Sequence, residues 1–568
     1  MQRHVRLHRK VVIGARGSRL SLAQARIVAD RIKKSSPGLA VEIVVIKTYG
    51  DVKKDMKLDR LEQQGVFVKD IDLQLLDGTI DIAVHSLKDI PTKLQDGIRI
   101  GAIVERADPR DVVISRDGCG LRDLAKGAKI GTSSMRRKGQ LLHFRKDLNV
   151  MEMRGNVDTR IAKLDGGEYD AIVLAAAGVE RLGLSDRISE YLPFEVMLPA
   201  PGQGAIAVEI RDGDAMIEPI VRKIDDAKAR AEVEAERTVL SRIGGGCNAL
   251  LGAYAKTHGS RLEISAAITS SNGEMKYSYS QEGSVKFPDE VGIEVAEKIL
   301  MGNAAEILPD KSDKSRLAGK VVMVTKDEKE GEGLCKSLLD RRAIPVYFPT
   351  IKPVNISYSM KTAHRINKYD FVLVTSRRGA DKLLEILQVV GLEKDAFGPV
   401  VIAIGPETRQ YLWGRGIAAR SLPSAKYSKD IIEGLAGVKD RRVLIINSAL
   451  AGNELAAGLS ARGAIVDRIT PYAMYVPKVS MQRKNMVMSY KLDFITFASP
   501  SAVTGFLKIL GRKNAMRLLR RSKVVCIGET TSGKCEKENI KVCGIAGEHT
   551  VEGIVKCMER IAGSPYGK

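Results

Sequence analysis

FVLVTSRRGADKLLEIL, residues 371–387, decides the reading of the chain, because it returns as FITFASPSAVTGFLKIL at residues 494–510. VIAIGPETRQYL at 401–412 likewise returns as VVCIGETTSGKC at 524–535. Both pairs are displaced by 123 residues, and Ser376 to Gly405 spans the same 29 residues as Ser499 to Gly528. VVMVT from Val321 and VLIIN from Val443 match at almost the same displacement. The period is too long for a solenoid, so two related units are expected. Each sets short β-rich runs before turns and helical patterns, which predicts α/β folding. IGPET and IGETT place Gly and Thr where open α/β sheets bind ligands, at strand C-terminal ends. Backbone N–H groups there can receive carboxylates. The alternative is that Thr408 and Thr531 simply cap helices.

Outward from the repeat, the clearest break is LPDKSDKSRLAG at 308–319, polar and without a core pattern, which reads as a linker. The alternation continues before it. Strands are predicted at 11–14, 41–48, 80–84 and 171–174, and helices at 21–33 and 67–76. This argues for α/β domains with largely parallel sheets. A chain of 568 residues exceeds what one core supports, so four or five domains are expected.

Apolar residues at 44% and charged residues at 28% exclude a mostly disordered protein. The net charge of +22 points to anionic partners: nucleic acid, a membrane surface or small polyanions. Residues 1–318 hold 50 basic and 46 acidic side chains, and residues 319–568 hold 41 and 23. Aromatics at 5%, with Trp413 the one Trp, are thin for stacking bases, and no helix-turn-helix or zinc pattern accompanies them. Nucleic acid is therefore not an expected partner. No run approaches the roughly 18–20 apolar residues that span a bilayer, and the basic start MQRHVRLHRKVVIGARGS lacks a signal-peptide core. The seven cysteines form no C-x-x-C pair and the seven histidines are scattered, so no metal site is expected and a reducing, cytoplasmic compartment is.

Three stretches carry chemistry. HSLKDIP at 85–91 sets Lys88 beside Asp89 at the end of a buried strand, with Pro91 forcing an extended turn. A carboxylate among cations there suits acid–base work or a cationic intermediate; a surface ion pair is the plainer reading. GTSSMRR at 131–137 and MRGNVDTR at 153–160 gather Arg136, Arg137, Arg154 and Arg160 beside Thr132, Ser133 and Ser134. Hydroxyls and guanidinium forks suit planar carboxylates, unless this is only a solvated basic face. Arg16 and Ser18 in GARGSRL repeat the idea at the first strand's end. Cys247 follows three glycines in SRIGGGCNALLGAYA, an exposed loop in which a thiol is accessible.

Taken together, GARGSRLSLAQ, GVFVKD, DIAVHSLKDIP, RADPRDV, GTSSMRR, MRGNVDTR, KLDGGEYDAIVLAAAGVERLGL, LPAPGQGAIAVE and GGGCNALLGAYA resemble hydroxymethylbilane synthase, also called porphobilinogen deaminase, over about residues 10–310. The resemblance implies condensation of four porphobilinogen molecules to hydroxymethylbilane with release of ammonia. It implies a dipyrromethane cofactor joined to Cys247 by a thioether. Asp89 and Lys88 would be catalytic and would also hold the cofactor, with Ser134, Arg136, Arg137 and Arg160. Arg16, Ser18, Gln24, Phe67, Thr132, Arg154 and Arg181 would bind substrate. The implied fold has two periplasmic-binding-protein-like domains, about 10–104 plus 205–222 and 105–204. A small α+β cofactor domain follows at 223–308, then a linker at 309–318. The chain departs from the family at LEQQG, 61–65, where a glycine- and lysine-rich run is usual.

Residues 319–568 resemble uroporphyrinogen-III synthase through GKVVMVTK, YDFVLVTSRRGA, IAIGPETRQYLWGRGI, RRVLIINS, DFITFASPSAV, CIGETTSGKCEKENIKV and EHTVEGIV. This implies cyclisation of hydroxymethylbilane to uroporphyrinogen III with inversion of the last ring, and no metal or organic cofactor. It implies two α/β domains, about 319–352 plus 473–568 and 353–472, with substrate between them. Tyr472 would assist hydroxyl loss, and Ser376, Thr408, Ser499 and Thr531 would line the cleft. Lys326 stands where that family often has Arg. The expectation is a monomeric, cytoplasmic bifunctional enzyme acting on porphobilinogen and hydroxymethylbilane, with no membrane partner. The alternative is an active bilane synthase with an inactive or altered second half. A bilobal anion-binding protein without catalysis would need no exposed thiol.

Overall fold

The computed structural model describes residues 10–46, 66–244, 250–302, 304, 307, 315–421, 428–449 and 451–563. Five sheets organise them. The first orders Ala40–Ile46, Lys10–Arg16, Ile82–Ser86, Ala205–Arg211 and Ile98–Arg106. Lys10–Arg16 runs parallel to both neighbours, whereas the returning Ala205–Arg211 is antiparallel. Its central strands read as continuous apolar runs because both faces are covered. Val11, Ile13, Ile82, Val84 and Val208 are buried on one face with the helix Arg19–Ser35. Ser18 starts that helix, its Oγ accepting from Ser21 N at 3.2 Å.

The second sheet orders Asn149–Met151, Lys129–Gly131, Ala171–Ala175, Asp111–Ser115 and Glu190–Tyr191. The chain enters it through Asp111 and leaves before Ala205, so two crossings separate the first two domains. The third sheet is an antiparallel meander of Leu251–His258, Arg261–Thr269 and Lys276–Ser284, covered by the helices Ala227–Ile243 and Pro288–Met301.

After the linker, Ile344–Tyr347, Val321–Val324, Phe494–Phe497, Lys523–Cys526 and Gly544–Ile545 form an all-parallel sheet. Arg442–Ser448, Phe371–Val374, Val400–Ala403 and Ala419–Ser421 form the parallel body of the last sheet. The long strand Ile465–Tyr475 joins its edge and pairs antiparallel with Lys352–Asn355. These two strands are where the chain crosses between the lobes. The 123-residue repeat is thus structural: Phe371–Val374 lies between the strands matching those that flank Phe494–Phe497. Not all of 309–318 is free linker. Leu317 is fully buried in a core with Val322, Val324 and Phe494, and Ser315 Oγ donates to Glu559 at 3.2 Å.

Candidate functional site

The C-terminal ends of the first two sheets face one another. Ile82–Ser86 ends in a single 3₁₀ turn, Leu87–Asp89, which presents Asp89 to solvent and buries Leu87. Gln24 donates to Ser86 Oγ at 2.8 Å and ties the first helix to this turn. Lys88 Nζ donates to Gln203 Oε1 at 3.2 Å, and Gln203 Nε2 donates to Asp111 Oδ1 at 3.0 Å. One glutamine therefore connects the lysine of the first domain to a carboxylate of the second.

Asp111 is fully buried between two guanidinium groups. Arg136 reaches Oδ2 at 2.7 Å, and Arg137 reaches Oδ1 through Nε at 3.0 Å and Nη2 at 2.7 Å. Both arginines lie on the helix Met135–Phe144, where Ser134 is the N-cap and Thr132 Oγ1 accepts from Ser134 N. Burial alone would raise Asp111; Arg136 and Arg137 more than reverse this and hold it well below the usual carboxylate range. These two arginines are therefore not open forks. They are already matched to a carboxylate, and backbone oxygens of Leu198 and Val173 take further donors.

Arg160 is placed otherwise. Its Nε donates to Gly155 O at 2.8 Å and its Nη2 to Ser133 Oγ at 3.3 Å, with no carboxylate among those partners. Burial, with Arg137 adding, lowers it to about 10, and Asp89 acts in the opposite direction. Burial also lowers Lys88 to about 8, against the attraction of Asp89. Lys88, Arg137, Arg160, Asp89 and Asp111 therefore share one electrostatic site. Arg181 donates to Gly204 O at 2.7 Å and is lowered by burial to about 10. Arg154 pairs with Glu152 at 2.9 Å on the surface. Cys247, residues 61–65 and the Phe67 side chain lie outside the described residues. Gln203 and Asp111 escaped the sequence reading, because their partners are remote in the chain.

Behind the Lys88 turn, Asp72, His85 and Glu209 are buried with one ligating atom each within 4.8 Å of the others. His85 Nε2 lies 3.2 Å from Glu209 Oε2. Burial raises Glu209 to about 8 and Asp72 to about 6. Burial, then Arg16, lowers His85 to about 4. Burial dominates all three shifts, and the set is a buried titratable cluster beside the strand Ile82–Ser86. Glu209 binds its proton more tightly folded than unfolded, so its contribution to stability falls as pH rises from 4.5 to about 8. Asp72 acts the same way between 3.8 and about 6, and His85 oppositely between about 4 and 6.5. Between 6.5 and about 8 Glu209 acts alone of the three. Glu209→Gln should flatten the fall in melting temperature across that interval; a variant curve parallel to the parent's would refute this.

In the second half, Ser376 and Ser499 are the N-caps of Arg377–Val389 and Pro500–Leu510, accepting from Gly379 N and Ala502 N at 3.1 Å each. Thr408 and Thr531 are not caps. Gly405 and Gly528 hold those positions, and both threonines are buried in the first turn. Gly405 has φ 83°, a left-handed conformation in which threonine would be strained. Ser376 Oγ lies 3.0 Å from Tyr472 Oη, and Arg378 sits 5.9 Å from the Tyr472 ring centroid. Arg378 bridges the lobes to both oxygens of Asp327, at 3.1 and 3.0 Å.

Both halves thus gather cations and hydroxyls near the ends of their strands. Residues 11–219 match the family described as "Porphobilinogen deaminase, dipyromethane cofactor binding domain", and residues 230–301 its "C-terminal domain". Residues 333–556 match "Uroporphyrinogen-III synthase HemD". The porphobilinogen deaminase of Syntrophomonas wolfei is 45% identical over 300 residues, 53% of this chain and 98% of that protein. That of Clostridioides difficile is 44% identical over 291 residues, 51% of this chain and 97% of its own. A mutant uroporphyrinogen III synthase from Thermus thermophilus is similar over 43% of this chain and 98% of its own, at 17% identity and a TM-score of 0.33. The chain belongs to the porphobilinogen deaminase family, fused to a uroporphyrinogen-III synthase domain of tetrapyrrole biosynthesis. No helix among the described residues is long and apolar enough to cross a membrane.

Proposed function

We propose that this chain condenses four porphobilinogen molecules into hydroxymethylbilane, releasing ammonia, and then cyclises that product to uroporphyrinogen III with inversion of the last ring. The observation that carries the first half is the shared site of Lys88, Asp89, Arg137 and Arg160 at facing strand ends. The donor set fits a dipyrromethane with its acidic side chains: Arg160 and Lys88 offer half-buried cationic donors with no carboxylate among those hydrogen-bond partners. Cys247 would anchor the group, and Ser134, Arg136, Arg137 and Arg160 would hold its carboxylates, Arg136 and Arg137 sharing theirs with Asp111. Bound dipyrromethane supplies the pyrrole carbon from which the product is lengthened.

Asp89 accepts hydrogen bonds from pyrrole N–H groups and stabilises positive charge that develops as ammonia leaves. Lys88 neutralises carboxylates and, lowered to about 8, lies within reach of proton exchange at cellular pH. Arg16, Ser18, Gln24, Phe67, Thr132, Arg154 and Arg181 are assigned to the incoming substrate and the growing product. In the second half, Tyr472, held by Ser376, assists loss of the hydroxyl group. Thr408, Ser499 and Thr531 line the cleft, which orients the bilane for ring closure. The proposed state is a monomer in the cytoplasm. The isomer formed from porphobilinogen tests the whole reading: type III supports it, and type I alone shows that the second half does not act.

A further inference from the structure

The helix Pro288–Met301 is covered on two sides. Val291, Val295, Ala296 and Ile299 belong to the core of its own domain. Glu290, Ile293, Glu294, Glu297 and Met301 recur at helical spacing on another face, and that face meets the synthase half. Ile293 lies in a core with Leu317, Val322, Tyr347 and Phe494, and Met301 packs on the neighbouring synthase core.

Glu297 is the centre of this contact. It is 2% exposed and accepts four hydrogen bonds, all from the synthase half. Arg483 supplies a bidentate pair at 2.6 and 2.7 Å, Tyr490 Oη lies at 3.1 Å, and Tyr347 N lies at 2.9 Å. Arg483 also donates to Tyr347 O at 2.8 Å. Around this centre Gln482 donates to Glu294 at 3.1 Å and to Glu282 O at 2.8 Å, and Ser480 N donates to Glu290 at 3.2 Å. Arg242, in the last turn of the helix Ala227–Ile243, stacks 3.8 Å from the Tyr347 ring centroid.

The S. wolfei deaminase is 98% matched by 300 residues of this chain, which leaves that protein no length for a synthase half. The contact is thus a feature of the fusion and not a requirement of the deaminase fold. Among the described residues, the ion pairs Arg415–Asp96 at 2.6 Å and Lys93–Glu332 at 3.9 Å also join the halves, but both reach solvent and are of small worth. We propose that the Glu290–Glu294–Glu297 face is a built docking surface for the synthase half, which holds the cofactor-anchoring domain against the first synthase lobe without help from the linker. A buried bidentate pair whose carboxylate oxygens each accept two hydrogen bonds from the other half is specific to one partner, because any misfit strands a charge.

The test uses the full chain with a protease site inserted at 308–314. After cleavage, the two fragments should co-elute on size exclusion at micromolar concentration, in low and in high salt. Folded fragments that separate would overturn the proposal. Glu297→Gln keeps the shape but loses the charge, and should weaken association of the cut fragments at least roughly tenfold while deaminase turnover persists. Unchanged association of that variant would equally overturn it.

Discussion

Asp89→Asn should lower the rate of porphobilinogen consumption by roughly 10²–10⁴-fold, the range expected for removing a positioned acid–base group. Asparagine keeps the size and can still accept a hydrogen bond. It cannot offset the positive charge of Lys88 and Arg160, on both of which the carboxylate acts. Developing cationic character on the substrate loses the same partner. Intact mass separates this loss from loss of the cofactor. The Asp89→Asn chain should remain heavier than its sequence by a dipyrromethane, whereas Cys247→Ser should match its sequence mass. Near-normal turnover in Asp89→Asn would remove the aspartate from the chemistry.

Asp111→Asn should produce the largest loss of stability in the first half. The substitution leaves Arg136 and Arg137 buried beside each other without a counter-charge. Breaking one side of a buried ion pair costs about 3–5 kcal/mol. Two cations depend on this carboxylate, and Gln203 donates to it as well. Because Asp111 is held below its ordinary value of 3.8, its contribution is complete above that pH and is lost as pH falls below it. Chemical denaturation should show an earlier first transition in the variant, and Arg137→Met on the same chain should recover part of the loss. An unchanged first transition would mean the triad contributes nothing net.

Local pattern carried much of the fold. The strand expected at 11–14 lies inside Lys10–Arg16, and the helix expected at 21–33 lies inside Arg19–Ser35. The strand expected at 80–84 begins later, at Ile82, because Asp81 turns its side chain to accept from Val12 N and ends the loop there. The long-range accounting was harder to read. Arg136 and Arg137 stand out as a basic cluster, yet the carboxylate that neutralises them lies 25 and 26 residues earlier, at the start of the strand Asp111–Ser115. Of the two readings of Thr408 and Thr531, the capping alternative fails, since threonine is a favoured cap but Gly405 and Gly528 took the position.

Net charge also misled as a locator. The half with the dense arginine motifs is nearly balanced, because its buried arginines carry their own acids: Asp111 for Arg136 and Arg137, Glu232 and Glu236 for Arg106. The acidic face of Pro288–Met301 shows the same effect at the junction, where Glu297 is balanced by an arginine 186 residues further on. Charge counts register totals, whereas sites depend on which charges are left without a partner inside the chain.

The most direct measurement of the central claim is the isomer of uroporphyrinogen formed when the purified chain is given porphobilinogen alone. The account predicts predominantly the III isomer from the intact chain, with Tyr472→Phe shifting the product toward the I isomer. Uroporphyrinogen I alone from the intact chain would contradict it.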